Sequence, residues 1–412
     1  PPPPRGGGGG GGPPRNPTQP SEQIDNQSTA SPSLSDQSSP IRDCDTKNAS
    51  ASTPLLDHSQ PSKRFRELDF IRGAAAICVV YYHWVGDYYG WKYTADIFFA
   101  NSFFSVDIFF ILSGFVMSYA YGKQIEEKMS VGRFALIRLG RLYPLVVVAS
   151  IAAILATWLL NAYSAFSFNN NLFMNLFLFQ GLFGKSDGFI TVFWSIGVEF
   201  WVGLTLFYGV LRYRVYFINF LIVLALIFFE YGGKSSLFFG IDIGLINNGT
   251  RRGLLGIGLG IICYQIYLYY KDVSLSARAK MFIKYGVYIL FAFILFYMIA
   301  PKKTMHQLNH VYLKILVCVI IVFAALLKNQ CKLFCAKWQS WLGDISYSVY
   351  VLHSIVIWFT TPLIRSLNLT GYAPEILGGL FVLTITLIVS HYTHKYIEMP
   401  AYKWFKGKIG RT

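Results

Sequence analysis

The chain has 412 residues, of which 54% are hydrophobic, 17% aromatic and only 14% charged. A soluble domain carries nearer one quarter charged residues, so this composition excludes a soluble globular protein and indicates a polytopic membrane protein. The net charge of +15 does not point to nucleic acid, because the basic residues gather in short loops beside hydrophobic runs.

Residues 1 to 62 open with PPPPRGGGGGGGPPR and stay rich in Ser, Thr, Gln, Asn and Pro. No hydrophobic period is present there, which is the pattern of a disordered tail. The tail lacks the apolar core of a signal peptide, so the first hydrophobic run is expected to insert into the membrane. The missing first Met points to a fragment or a misassigned start. Residues 63 to 405 then form the transmembrane domain, and 406 to 412 a short cytoplasmic tail.

About twenty apolar residues cross a hydrocarbon core of roughly 30 Å. On that basis the sequence predicts an all-α bundle of about ten transmembrane helices, near 68–86, 98–121, 139–160, 189–211, 215–231, 252–270, 282–300, 311–327, 342–364 and 375–396. The apolar piece at 166–184, with its Asn and Gly residues, reads as interfacial or re-entrant. Lys and Arg concentrate on alternate loops, which places both termini in the cytoplasm. The outer cluster at 302–314 fits that rule least well. In a bacterium the location would be the inner (plasma) membrane. The six cysteines, Cys44, Cys78, Cys263, Cys318, Cys331 and Cys335, show no paired framework. Cys331 and Cys335 lack the further Cys or His that would complete a metal site, so no metal is expected.

The first run, RELDFIRGAAAICVVYYHW, places Arg72 and His83 eleven residues apart. That is close to three helical turns, so both leave one face, roughly 16 Å apart along the axis. An ionisable residue at membrane depth is costly and is a functional candidate by default. His83 could remove a proton from an attacking hydroxyl, or it could simply hydrogen-bond a neighbouring helix. Arg72 could form an ordinary pair with Asp69 one turn away, or aim its guanidinium at a phosphate or thioester carbonyl. Arg133, Arg138 and Arg141 in GRFALIRLGRLYPL lie at the same end. They mark either topology alone or the dock of an anionic ligand.

Asp107 and Ser113 interrupt the apolar second run, Asp107 near its outer end where it could reach water. Glu199 follows Ser195 by one turn in FWSIGVEFW, near the outer boundary, and is a candidate for proton transfer, sugar binding or a structural hydrogen bond. In LGDISYSVYVLH, Ser346, Tyr350 and His353 share a face and line either a substrate path or a helix contact. His391 and His394 snorkel at the end of the last run and receive no role.

RELDFIRG with its Arg-to-His spacing, SVDIFFILSGF, Arg138 and Arg141 followed by LYP, FWSIGVEFW, LGDISYSVYVLH and YIEMPAYKW fall in one order from about 64 to 405. Together they resemble the acyltransferase-3 family of membrane acyltransferases, whose members O-acetylate polysaccharides and related surface glycans. The resemblance implies that Arg72 and His83 are the essential pair and that Arg138 and Arg141 belong to the cytoplasmic acyl-donor region. Glu199 matches the first acidic residue of the family's Trp-Ser, Val-Glu motif. Phe200 stands where a second Glu is common, and Ser105 where Gly usually precedes Val-Asp. Only some fifteen residues follow Tyr396, so no fused extracytoplasmic domain is expected.

The resulting expectation is an O-acyltransferase moving an acyl group, acetyl by preference, from acetyl-CoA or another acyl-CoA to a carbohydrate hydroxyl. Arg72, Arg138 and Arg141 would hold the donor. His83 would act as base or brief acyl carrier, and Glu199, Ser346, Tyr350 and His353 would line the acceptor path. Acyl-CoA, a glycan acceptor and the bilayer are the partners, with no nucleic acid and no permanently bound cofactor. Two other classes compete: a proton-coupled transporter or flippase relaying protons through His83, Glu199 and His353, and a non-catalytic protein using these residues as helix glue.

Overall fold

Every long apolar run becomes a helix, because a backbone in hydrocarbon must satisfy its own hydrogen bonds. The structure, a computed structural model, describes residues 64–91, 98–159, 168–182, 190–232, 247–301 and 309–409. The 1–62 tail and the basic residues Lys92, Lys185, Lys234, Lys302 and Lys303 lie outside them.

The helices are α1 (Arg66–Tyr89), α2 (Ser105–Glu127), α3 (Val131–Leu159), α4 (Phe168–Phe177), α5 (Phe193–Val202), α6 (Tyr208–Tyr213), α7 (Tyr216–Gly232), α8 (Asn248–Tyr270), α9 (Ala277–Ile299), α10 (His310–Leu327), α11 (Lys337–Ser366), α12 (Gly379–Thr393) and α13 (Met399–Ile409). A π turn at Gly203–Phe207 joins α5 and α6 into one rod. Asn247, Ser276 and Asn309 cap α8, α9 and α10 by accepting from backbone N–H groups of the first turn, as short polar side chains do at helix starts. Helix α4, ten residues long, is too short to cross a bilayer, in keeping with the interfacial reading of that segment. Helix α13 runs through residue 405 to Ile409.

The fold class is the expected helical membrane bundle, but among the described residues eight rather than ten segments are both long and apolar enough to span. The two exceptions fail for different reasons. Helix α7 is apolar but has 17 residues, about 25 Å. Helix α1 has 24 residues, which is ample, but Arg66, Glu67, Asp69, Arg72, His83 and Asp87 lower its hydropathy. That polarity is tolerated because α1 is surrounded by protein: it packs against α2, α10, α11 and α12. The spans containing α2 and α11 are each 72% buried, against 28% for α9, so α2 and α11 are central and α9 peripheral. Phe282, Ile289, Phe293 and Phe296 form an exposed stripe on α9, a surface suited to lipid.

Two glycine-mediated seams hold the centre. Helices α1 and α11 run parallel: a Cβ on Gly73 would stand 2.7 Å from Leu342 Cγ, and one on Gly343 would stand 2.6 Å from the Asp69 carbonyl oxygen. Helices α2 and α8 form the second seam, where Gly256 and Gly260, spaced as Gly-x-x-x-Gly, admit the α2 backbone. A Cβ on Gly260 would lie 2.2 Å from Ile111 O, and one on Gly114 2.3 Å from Ile257 O. Such contacts cannot be relieved by turning a side chain.

Gly260→Ala is therefore expected to destabilise the bundle by about 1–3 kcal/mol through overpacking. Gly286→Ala, whose added Cβ meets nothing within 4 Å, should be neutral or slightly stabilising. Thermal unfolding of the two variants in the same detergent measures the difference.

Candidate active site

The α1–α11 seam brings the sequence-predicted residues together in two groups. At the end where both helices start, Arg72 donates from Nε to Ser346 Oγ at 2.9 Å and from Nη2 to Gly343 O at 2.7 Å. Its Nη2 also reaches Asp69 Oδ1 at 3.3 Å. The intrahelical pair with Asp69 thus exists, yet it uses only part of the guanidinium. Beneath it, Arg64 bonds Asp69 and reaches Asp344 Oδ1 at 2.5 Å and Ser340 O at 3.2 Å, fastening the chain before α1 to the first turns of α11.

Arg72 lines a cavity together with Arg138, Arg141, Glu199, Ser346 and Tyr350, six of the eight residues singled out from the sequence. Arg138 and Arg141 come from α3, Glu199 and Ser195 from α5, and Ser346 and Tyr350 from α11. Helix α2 supplies an apolar wall that runs from Val106 to Ala120, about 21 Å along its axis. Three arginines and two acids, Glu199 and Asp344, line the cavity, whose α2 side is largely apolar.

Glu199 does not sit at an outer boundary, as its place near the start of α5 suggests. Arg138 of α3 bonds its carboxylate directly, and Ser113 Oγ donates to Oε1 at 2.8 Å. The residue expected on the acceptor side and one expected on the donor side are therefore a single buried pair. The Arg138 side chain is only 5% exposed. Arg141 differs: it has no hydrogen bond or salt bridge among the described residues and faces the cavity, with the carboxylates of Glu398 and Glu199 near enough to act on its charge.

The second group lies further along the seam. His83 and His353 do not line the cavity; they face each other, with His353 Nε2 3.2 Å from His83 Nδ1. Tyr350, one turn before His353, separates them from the cavity. Its ring centroid is 5.9 Å from that of His353, and its hydroxyl is held 2.6 Å from Ser195 Oγ and 3.2 Å from Val192 O. On the other side Trp91 and Tyr82 pack against the His83 ring, at 5.8 and 5.1 Å between centroids. The polar stripe on α11 is thus split: Ser346 and Tyr350 face the cavity and His353 faces His83.

Sequence reasoning missed what becomes of the outer charges. Asp107 does not reach water. It is fully buried and accepts from Arg252 Nη2 at 2.8 Å, with Lys314 Nζ 3.7 Å away. Lys314 bonds Glu230 at 2.5 Å, so two acids and two bases from α2, α7, α8 and α10 form a balanced buried set. Burying such a set is costly unless every charge is paired. Arg251, also buried, bonds Asn248 at 2.9 Å and lies over the Phe229 ring. These three basic residues belong to the bundle interior and carry no topological information. Asp344 and Tyr347 also line the cavity without having been singled out, although Asp344 beside Gly343 in LGDISYS was a visible polar signal.

The acyltransferase-3 sequence profile, described as an acyltransferase domain, matches residues 65–394. A protein of Rhizobium radiobacter, described as protein 2 in the picA locus, is similar: 44% identical over 94 residues, covering 22% of this chain and 44% of that protein. The matched region thus spans less than half of that relative. No solved structure matches.

The Arg138–Glu199 pair is expected to act as a unit. Glu199→Leu leaves the guanidinium buried without its partner and should cost about 3–5 kcal/mol, part of which the Arg138→Leu/Glu199→Leu double variant should recover. Unfolding of the four proteins in detergent, treated as a double-mutant cycle, is expected to show a coupling of about 0.5–3 kcal/mol. Strictly additive losses would show that the two side chains act separately.

Proposed function

The chain belongs to the acyltransferase-3 family, and from that premise we propose that it moves an acyl group, acetyl by preference, from acyl-CoA to a hydroxyl of a carbohydrate or glycan. The observation that carries the donor half is Arg141: a guanidinium with no hydrogen bond or salt bridge among the described residues, facing the same cavity as Arg72 and Arg138. Three arginines around one cavity suit the phosphates of the coenzyme, because the guanidinium fork matches phosphate oxygens and keeps its charge at any accessible pH. The apolar wall of α2 suits the thioester-bearing arm, and runs from the arginines towards Val106.

Transfer requires a hydroxyl to lose its proton as its oxygen attacks the thioester carbon. His83 takes that proton, the C–O bond forms as the C–S bond breaks, and the departing thiolate takes up a proton. Arg72, held by Ser346 and the Gly343 carbonyl, positions the donor. Tyr350 and Ser195 stand between the cavity and the histidines and have to part for the hydroxyl to reach the thioester, and Glu199 keeps the Arg138 fork fixed. Ser346 stays beside Arg72 at the donor end, and His353 stands behind His83.

The orientation that fits this reading puts the Arg64 end in the cytoplasm, where acyl-CoA is made. With Arg251, Arg252 and Lys314 withdrawn into the bundle, the basic bias of the loops points more strongly the same way. The transporter alternative needs a proton relay through His83, Glu199 and His353. Among the described residues no direct hydrogen bond joins Glu199 to either histidine: Glu199 bonds Arg138 and Ser113, while the histidines bond each other and backbone carbonyls.

Membranes holding the wild-type chain should transfer labelled acetyl from acetyl-CoA to membrane glycans, and His83→Ala membranes at matched folded abundance should not. Arg141→Ala should raise KM for acetyl-CoA by about 10- to 100-fold, the scale of one charge-assisted hydrogen bond, with kcat little changed. Transfer that persists in His83→Ala would remove the histidine from the chemistry. An unchanged KM in Arg141→Ala would remove the arginine from the donor site.

A further inference from the structure

The histidine pair has a directional hydrogen-bond pattern. His83 Nδ1 lies 3.0 Å from Val79 O, and His353 Nδ1 lies 3.2 Å from Val349 O. A carbonyl oxygen only accepts, so each Nδ1 must carry the proton. In a neutral His353 that leaves Nε2 bare, and this bare nitrogen is the atom that stands 3.2 Å from His83 Nδ1. The Nδ1–H of His83 is accordingly shared between Val79 O and His353 Nε2. Ser354 Oγ, 3.4 Å from His353 Nε2, can donate to the same nitrogen without disturbing the pattern. His83 Nε2 has no hydrogen-bond partner among the described residues.

Resting on the acyltransferase reading above, we infer that His353 is a positioning residue: together with Val79 O it holds the His83 proton on Nδ1, so that Nε2 of His83 is the nitrogen presented to the acceptor hydroxyl. Two features make His353 suited to this. It is fully buried, and its own ring is set by the i−4 carbonyl of α11, so it cannot turn to offer a proton instead of a lone pair. The α1–α11 seam, closed by Gly73 and Gly343 at one end and by Thr361 Oγ1 donating to Asp87 at 2.7 Å at the other, fixes the spacing between the rings. Which ring nitrogen of a histidine is free is set by the bond the other makes. His353 is thereby given a role distinct from contact with the acceptor.

The inference predicts a property of the resting protein that needs no substrate. Solid-state NMR of protein labelled with 15N-histidine in lipid bilayers, with His83 assigned by loss of its signals in His83→Ala, reads which nitrogen is protonated. Wild-type His83 is expected to be protonated at Nδ1 and bare at Nε2, to become a mixture of tautomers in His353→Leu, and to return to the wild-type form in His353→Gln, whose side-chain carbonyl can accept. In the transfer assay His353→Leu should lower kcat by about 10- to 100-fold, as loss of a residue orienting a functional histidine typically does, with KM for acetyl-CoA unchanged and activity recovered in His353→Gln. A wild-type His83 protonated at Nε2 would overturn the inference, and so would an unaltered tautomer in His353→Leu. Should the leucine variant not accumulate, His353→Phe, which keeps a ring without an acceptor nitrogen, takes its place in both measurements. The expected tautomers in a protein that transfers no acyl group would uphold the positioning of His83 and defeat only the acyltransferase mechanism.

Discussion

The close parallel contact between α1 and α11 is the constraint on which the rest of the structure depends. Gly73 and Gly343 let the two backbones approach until no Cβ could be inserted on either side. Three polar links then fix their register along the whole length: Arg72 to Ser346 and Gly343 O, His83 to His353, and Thr361 and Arg365 to Asp87. Helix α1 is the most polar of the long helices, and it is tolerated at membrane depth because this contact gives its charged and ring side chains protein partners. A polar group left unpaired in hydrocarbon costs several kcal/mol. The same arrangement thus stabilises the helix and orients its chemistry.

From that seam the functional geometry follows. Arg72 stands at the arginine-lined end of the cavity, where α3 brings Arg138 and Arg141. Of the three guanidiniums, Arg138 is committed to Glu199 and Arg72 to α11, which leaves Arg141 available to a ligand. The apolar wall of α2 leads from the arginines towards the level of the histidines, with Tyr350 standing between. A charge-bearing donor and an uncharged hydroxyl would therefore approach from opposite sides of Tyr350, which has to move aside before the oxygen can reach the thioester carbon. At the opposite end Asp107, Arg252, Lys314 and Glu230 neutralise one another inside the bundle, and their balance suits fixing α2 against α7, α8 and α10.

Much of this was legible in the sequence because membrane helices announce themselves by run length, and because the Arg72-to-His83 spacing corresponds to whole helical turns. The helical bundle, the shared face of Arg72 and His83, and the convergence of Arg138 and Arg141 on Arg72 follow from periodicity and order. Partners across helices did not. Nothing in the spacing of Glu199 says that Arg138 faces it, and nothing around Asp107 says that Arg252, far along the chain, neutralises it. Those pairings depend on tertiary packing: they keep Asp107 from the water it was expected to reach, and they set Glu199 beside an arginine that the sequence assigns to the other end of the bundle. The split of the α11 stripe into cavity-facing Ser346 and Tyr350 and histidine-facing His353 depends likewise on the rotation of α11 against α1. The span count differed for a related reason: α1 is read as a spanning helix by length alone, whereas its charges are sustained by neighbours that a hydropathy window does not see.

The central claim is that the arginine-lined cavity holds the acyl donor with its reactive end directed at His83. Cryo-electron microscopy of the protein with a non-transferable thioether analogue of acetyl-CoA tests it most directly. The account predicts pyrophosphate density within hydrogen-bond distance of Arg141, and an arm running beside α2 from Ala120 towards Val106. Density that instead approaches His83 from the Trp91 side, leaving Arg141 without contact, would contradict it.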